Sequence, residues 1–123
     1  MKITFAAMGA ENISLEALST MLKKYGHETT LAFDRSLFND ANYFPIPFLA
    51  KIFDSKKATI RKIIDSKPDL VAFSVFADNY QWALYISREV KERLDVPIIF
   101  GGIHPTTCPD NVICEDCVDI ICL

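Results

Sequence analysis

Leu70 to Phe76 reads LVAFSVF, a run in which only Ser74 is not apolar. A strand with one wet face alternates apolar and polar residues, whereas a run apolar throughout fits a strand covered on both faces. Such strands belong to parallel sheets, whose crossover helices shield either side. Further apolar, β-prone runs occur at Lys2 to Met8, at His27 to Phe33 with Asp34 as a stop, at Pro97 to Phe100 and at Val118 to Leu123. Between them lie segments of helical period. Asn12 to Tyr25 carries Leu15, Leu18, Leu22 and Tyr25, with Asn12 or Ser14 to cap its start and Gly26 to close its end. Leu49 to Ser66 carries Ile52, Ile60, Ile63 and Ile64, with Lys56, Lys57, Arg61 and Lys62 as a solvated outer face. After Asp78-Asn79 come Ala83, Ile86, Val90 and Leu94, and Pro105 to Glu115 reads as a short helix or turn.

Strands that alternate with helices pair in parallel through right-handed crossovers. The expected fold is therefore α/β: a flavodoxin-like (Rossmann-like), doubly wound, five-stranded parallel sheet in the order 2-1-3-4-5, within three α/β/α layers. The 123 residues fit one domain, and half of them are hydrophobic. A net charge of -3 gives no basic face for nucleic acid. No apolar stretch approaches the roughly 20 residues that a membrane helix needs. The apolar start is too short and wrongly flanked for a signal peptide, so a cytoplasmic location without membrane association is expected.

All four cysteines, Cys108, Cys114, Cys117 and Cys122, fall near the end of the sequence. They read as reduced thiols rather than a disulfide framework. Cys114 and Cys117 have the spacing of a metal or redox pair, but a zinc site needs further ligands and a redox pair belongs at a helix start after a strand. Phe38 to Phe53 is aromatic and broken by Pro45 and Pro47. It could line a functional loop, cover an edge of the core or join two copies in a homodimer.

In doubly wound sheets ligands bind beyond the carboxyl ends of the strands, where the order reverses between strands 1 and 3. Gly9, Gly101 and Gly102, three of the four glycines, fall on that edge. Several occupants of this fold are disfavoured. A phospho-receiver needs acidic residues after strand 1 and an aspartate at the end of strand 3, where this chain has Met8-Gly9-Ala10 and Ser74-Val75-Phe76. A flavin phosphate needs several hydroxyls in the first loop, which offers Ser14 and a repelling Glu11. No G-x-G-x-x-G dinucleotide fingerprint is present.

Three stretches, Asn12 to Thr29, KPDLVAFSVFADNYQWAL at Lys67 to Leu84 and VPIIFGGIHPT at Val96 to Thr106, together with FPIPFLAKIFD at Phe44 to Asp54, carry a resemblance. They resemble the amino-terminal cobalamin-binding domain of cobalamin-dependent radical S-adenosylmethionine enzymes, a group that includes anaerobic oxidative cyclases of Mg-protoporphyrin esters and methyltransferases. The resemblance spans essentially the whole chain. It implies a corrinoid over the carboxyl edge, with its nucleotide tail between the strands.

On that reading the cofactor-binding residues are Gly9, Ala10, Glu11, Asn12, Ser74, Val75, Phe76, Tyr80, Gly101, Gly102, Ile103 and His104. The small residues admit the tail, Ser74 hydrogen-bonds its base or phosphate, Phe76 and Tyr80 pack on the corrin, and the amides of Asn12 and Ile103 meet polar groups. No catalytic residue and no protein metal ligand is assigned. The D-x-H-x-x-G loop of methionine synthase and mutases is replaced by MGAENIS, without histidine. His27 lies on the wrong edge, and His104 stands between ligation and loop packing.

The cysteine spacings do not match C-x-x-x-C-x-x-C. The chain is accordingly expected to be a fragment, residues 1–123, ahead of a radical SAM domain in cis that brings a 4Fe-4S cluster and S-adenosylmethionine. The alternative is a degenerate, non-binding domain used for docking or dimerisation.

Overall fold

The computed structural model describes residues 1–9, 13–35 and 55–123. Among them the strands are β1 Lys2–Met8, β2 Glu28–Asp34, β3 Leu70–Ser74, β4 Ile98–Gly101 and β5 Ile120–Cys122. All pair in parallel, in the order β2-β1-β3-β4-β5, which is the order expected from the sequence. The helices are α1 Ile13–Lys24, α2 Lys56–Ser66, α3 Tyr80–Lys91, α4 Ile103–Thr107 and α5 Pro109–Ile113. The last two replace the single short helix expected over Pro105 to Glu115, with Cys108 as the joint between them. The aromatic segment Phe38 to Phe53 and the start expected for the second helix at Leu49 lie outside the described residues. None of the described helices is long and apolar enough to cross a membrane.

Among the described residues the two faces of the sheet are packed unequally. On one face Ala6, Ala32, Val71, Phe73, Val75, Ile98 and Phe100 join Ile60 and Ile63 of α2, Trp82, Ala83, Leu84, Ile86 and Val90 of α3 and Val112 of α5 in the main core. Phe73 anchors its aromatic part, 6.0 Å edge-on from Trp82 and 5.1 Å from Phe100 between ring centroids. The other face holds a small cluster of Ile3, Phe5, Ala7 and Leu15, with Leu22, Phe33, Leu70 and Ala72 half-buried beside it.

Helix α1 differs from its expected packing. Leu15 and Leu22 meet the sheet, whereas Leu18 and Tyr25 are exposed. The roll of the helix explains this: the Ser19 and Thr29 hydroxyls share a hydrogen bond of 2.6 Å, which turns α1 toward β2.

Strand β2 also differs, because it includes Asp34 instead of stopping before it. Asp34 is buried, and its carboxylate accepts the Trp82 indole N–H at 2.8 Å. A satisfied carboxylate can end a strand inside the core, where a bare one could not.

At the far edge Asp119 ties three elements together. It pairs with Lys91 of α3 at 2.7 Å and accepts the Ile98 amide of β4 at 2.6 Å, just ahead of β5. Burial pushes its pKa up, but the Lys91 hydrogen bond, the Ile98 amide and the Lys91 charge outweigh that and leave it below the usual carboxylate value.

Two outcomes follow for urea unfolding. Phe100→Ala is expected to cost about 3–5 kcal/mol, whereas Leu18→Ala should stay within about 0.5 kcal/mol. A depressed carboxylate stabilises the fold above its unfolded pKa, and that contribution is lost as pH falls through the folded value. Midpoints measured between about pH 5 and pH 2 should therefore fall less steeply for Asp119→Asn than for the parent chain.

Candidate functional site

The carboxyl ends of β1, β3 and β4 meet where the strand order reverses. The tightest contact there involves Gly102, at φ +107°, where an added Cβ would lie 2.8 Å from the Val75 carbonyl oxygen and 3.0 Å from its nitrogen. Only glycine fits. The same Val75 peptide is held from both sides: its N–H donates to the Gly101 carbonyl at 2.7 Å and its carbonyl accepts the His104 amide at 3.1 Å. The turn after β3 and the turn after β4 are thus one hydrogen-bonded unit.

Asn79 completes that unit from the α3 side. Its amide nitrogen donates to the Ser74 carbonyl at 3.1 Å and its side-chain oxygen accepts the Phe76 amide at 2.8 Å. The residue is buried. Asp78-Asn79 marks a turn in the sequence, and an Asn side chain that bonds nearby backbone is the usual way such a turn is fixed. Its role was not drawn from the sequence.

Small side chains fill the row below this rim. Ser74 pairs with Gly101, Gly101 with Cys122, and the pairing of Ala6 with Phe73 sets Ala7 beside Ser74. Alternation places Ala7, Ser74 and Gly101 on the α1 face, with Ala72 one step beneath. The sheet is therefore low along β1, β3 and β4. Beside Ala7, between α1 and the sheet, runs a groove of about 450 Å³ lined by Phe5, Leu15, Ser19, Leu31 and Phe33 among others. Its volume lies within the roughly 300–1,000 Å³ typical of small-molecule sites. Ala7 and Ala72 were missed from sequence because each sits inside an apolar run, and only the strand register shows that they line up with Ser74 and Gly101.

The remaining predicted residues divide. Gly9, Ser74, Val75, Gly101, Gly102 and His104 come together at this edge, and Ile103 is exposed beside them. Phe76 is exposed as well. Tyr80 adjoins them through His104: its ring packs on the His104 ring, 4.3 Å between centroids at 43°, and its hydroxyl reaches Glu115 at 3.4 Å. Glu115 in turn pairs with Arg88 at 2.7 Å. Burial first, then the Glu115 charge, pushes the Tyr80 pKa up, so the phenol stays protonated and donates. His104 lends its ring to this stack. Ala10, Glu11 and Asn12 lie outside the described residues.

Of the cysteines, Cys117 is buried, with its pKa raised chiefly by desolvation, whereas Cys114 is exposed. Among the described residues no group of His, Cys, Asp and Glu side chains is placed to hold a metal ion.

A family comparison decides the kinship of this fold and edge, since the B12 binding domain matches residues 6–123. The chain belongs to the B12-binding domain family. Membership points to cobalamin as the ligand. Among curated proteins, none matches the sequence. The small residues at this edge are compatible with the nucleotide tail of cobalamin. A flat base and its ribose need a low strip of sheet, which Ala7, Ala72, Ser74 and Gly101 keep free of bulk; of these Ala7 also lines the groove, whose wall carries Glu16 and Lys23 beside its apolar residues.

The rim is expected to be sharply selective about its two glycines. Gly102→Ala should lower the unfolding free energy by at least about 1–3 kcal/mol, the range for strained backbone. Gly101→Ala meets Cys122 Cβ at an ordinary 3.5 Å and should stay nearer to the parent in the same urea titration.

Proposed function

We propose that this domain carries cobalamin for a radical S-adenosylmethionine enzyme of methyltransferase or oxidative cyclase type, with the corrinoid over the carboxyl edge and its tail along the Ala7–Ser74–Gly101 row. The observation that carries the reading is that row of small residues at the point where the strand order reverses, under a rim in which Gly102 abuts Val75. Cobalamin supplies the methyl-transfer or radical chemistry. The chain supplies orientation and a water-poor bed. Ser74 is the polar group within the row and hydrogen-bonds the tail. The Gly9 turn lets backbone approach it closely, while Gly102 lets the β4 turn close on Val75.

The parent enzyme on this reading continues into a domain in cis that holds a 4Fe-4S cluster and binds S-adenosylmethionine. The stretches LVAFSVFADNYQWAL and VPIIFGGIHPT support that assignment. So does the first loop, MGAENIS, which has no histidine to take the place of the nucleotide base under cobalt.

Mixed with hydroxocobalamin and desalted, the chain should retain visible absorption. Ser74→Leu, which plugs the row, should lose it while keeping its far-UV circular dichroism. Equal retention by both proteins would refute the site, and no retention by either would favour a degenerate docking domain. Sequencing the gene past Leu123 tests the parent separately: a C-x-x-x-C-x-x-C triplet is expected, and an open reading frame without one would remove the radical SAM assignment and leave the cobalamin site untouched.

A further inference from the structure

We infer that Asp34 is a positioning residue for the carboxyl-edge site, locking the turn after β1 to the start of α3; its consequence for cobalamin rests on the function proposed above. Asp34 is the last residue of the edge strand β2 and is only 2% exposed. Its Oδ2 accepts the Trp82 indole N–H at 2.8 Å, its Oδ1 accepts the Ser55 hydroxyl, and its backbone carbonyl accepts the Gly9 amide at 3.0 Å. One residue thereby ties the turn after β1, the residue that precedes α2 and the first turn of α3.

The chemistry of the group argues for this role. A carboxylate is costly to bury, by several kcal/mol even after relaxation, unless hydrogen bonds replace its hydration. Ending a strand does not require that cost. What a carboxylate has and an amide lacks is two oxygens that both accept and no donor. Trp82 and Ser55 present one donor to each oxygen. Asparagine keeps one accepting oxygen for Trp82, forces the Ser55 hydroxyl to accept where it now donates, and removes the charge that strengthens both bonds.

The lock also falls where it matters for a ligand. Gly9 sits at φ +86°, among the described residues nothing lies within 4 Å of an added Cβ, and its N–H is hydrogen-bonded to the Asp34 carbonyl, which ties this turn to β2. On the other side, Trp82 stands two residues beyond Tyr80, whose ring supports His104. Contacts therefore run from Gly9 through Asp34 and Trp82 into the helix that backs the β4 turn. Binding weakens when a bed of this kind must be ordered by the ligand instead of beforehand.

The test uses Asp34→Asn, Trp82→Phe and Ser55→Ala in the whole chain, with two readouts on each. Amide hydrogen exchange should accelerate at least tenfold at Gly9 while Val71, Phe73 and Phe100 keep their protection. Hydroxocobalamin titration on the folded fraction should give a Kd raised at least tenfold for Asp34→Asn, and less for the other two, which each remove one donor. If protection falls evenly across the sheet, or if Gly9 exchanges as in the parent in every variant that folds, the inference is overturned. A parent chain that binds no cobalamin would sink the proposed function instead, and Gly9 exchange would still decide whether Asp34 holds the turn.

Discussion

The peptide of Val75 pressed against the α-carbon of Gly102 is the constraint from which the rest of the site follows. Any side chain at 102 would collide with that peptide, so the β4 turn can lie against the β3 turn only with glycine there. Once they lie together, Val75 can bond Gly101 on one side and His104 on the other. The His104 amide bond holds the start of α4 against the β3 turn, and the His104 ring lies on the Tyr80 ring. Asn79 then fixes the remaining backbone of the β3 turn. The outcome is a rigid rim standing over a strip of small residues.

Much of this was legible in the sequence because the signals were local. The alternation of strand and helix patterns left few topologies, of which the observed order was the expected one; the glycine pair was read as room for a ligand, whereas Gly102 also makes room for the Val75 peptide. Other features depend on which residues face each other across strands. Ala7 and Ala72 look like ordinary core positions until the register sets them beside Ser74 and Gly101. Tyr80 read as a surface for a planar ligand; its contacts with His104 and with Glu115, far along the chain, were not announced by any local signal.

Asp34 shows the same lesson in reverse. An aspartate after a β-prone run is a sound stop signal when its carboxylate faces water. Here Trp82 and Ser55 satisfy it from elsewhere in the chain, so the strand runs through it and the carboxylate becomes a tie between elements. Helix α1 was misjudged for a related reason: an apolar stripe predicts which residues can be buried, while the hydroxyl pair of Ser19 and Thr29 decides how the helix rolls.

The fold, the rim and the low strip together support the proposal that this edge of the sheet receives a flat group and its tail. The most direct measurement is a 15N-labelled amide spectrum recorded during titration with hydroxocobalamin. Shifts should concentrate at Gly9, Ser74, Val75, Gly101 and Gly102 and fade toward the amino edge. Shifts centred instead on Gly26, His27 and Lys67, or none anywhere at saturating cofactor, would contradict the account.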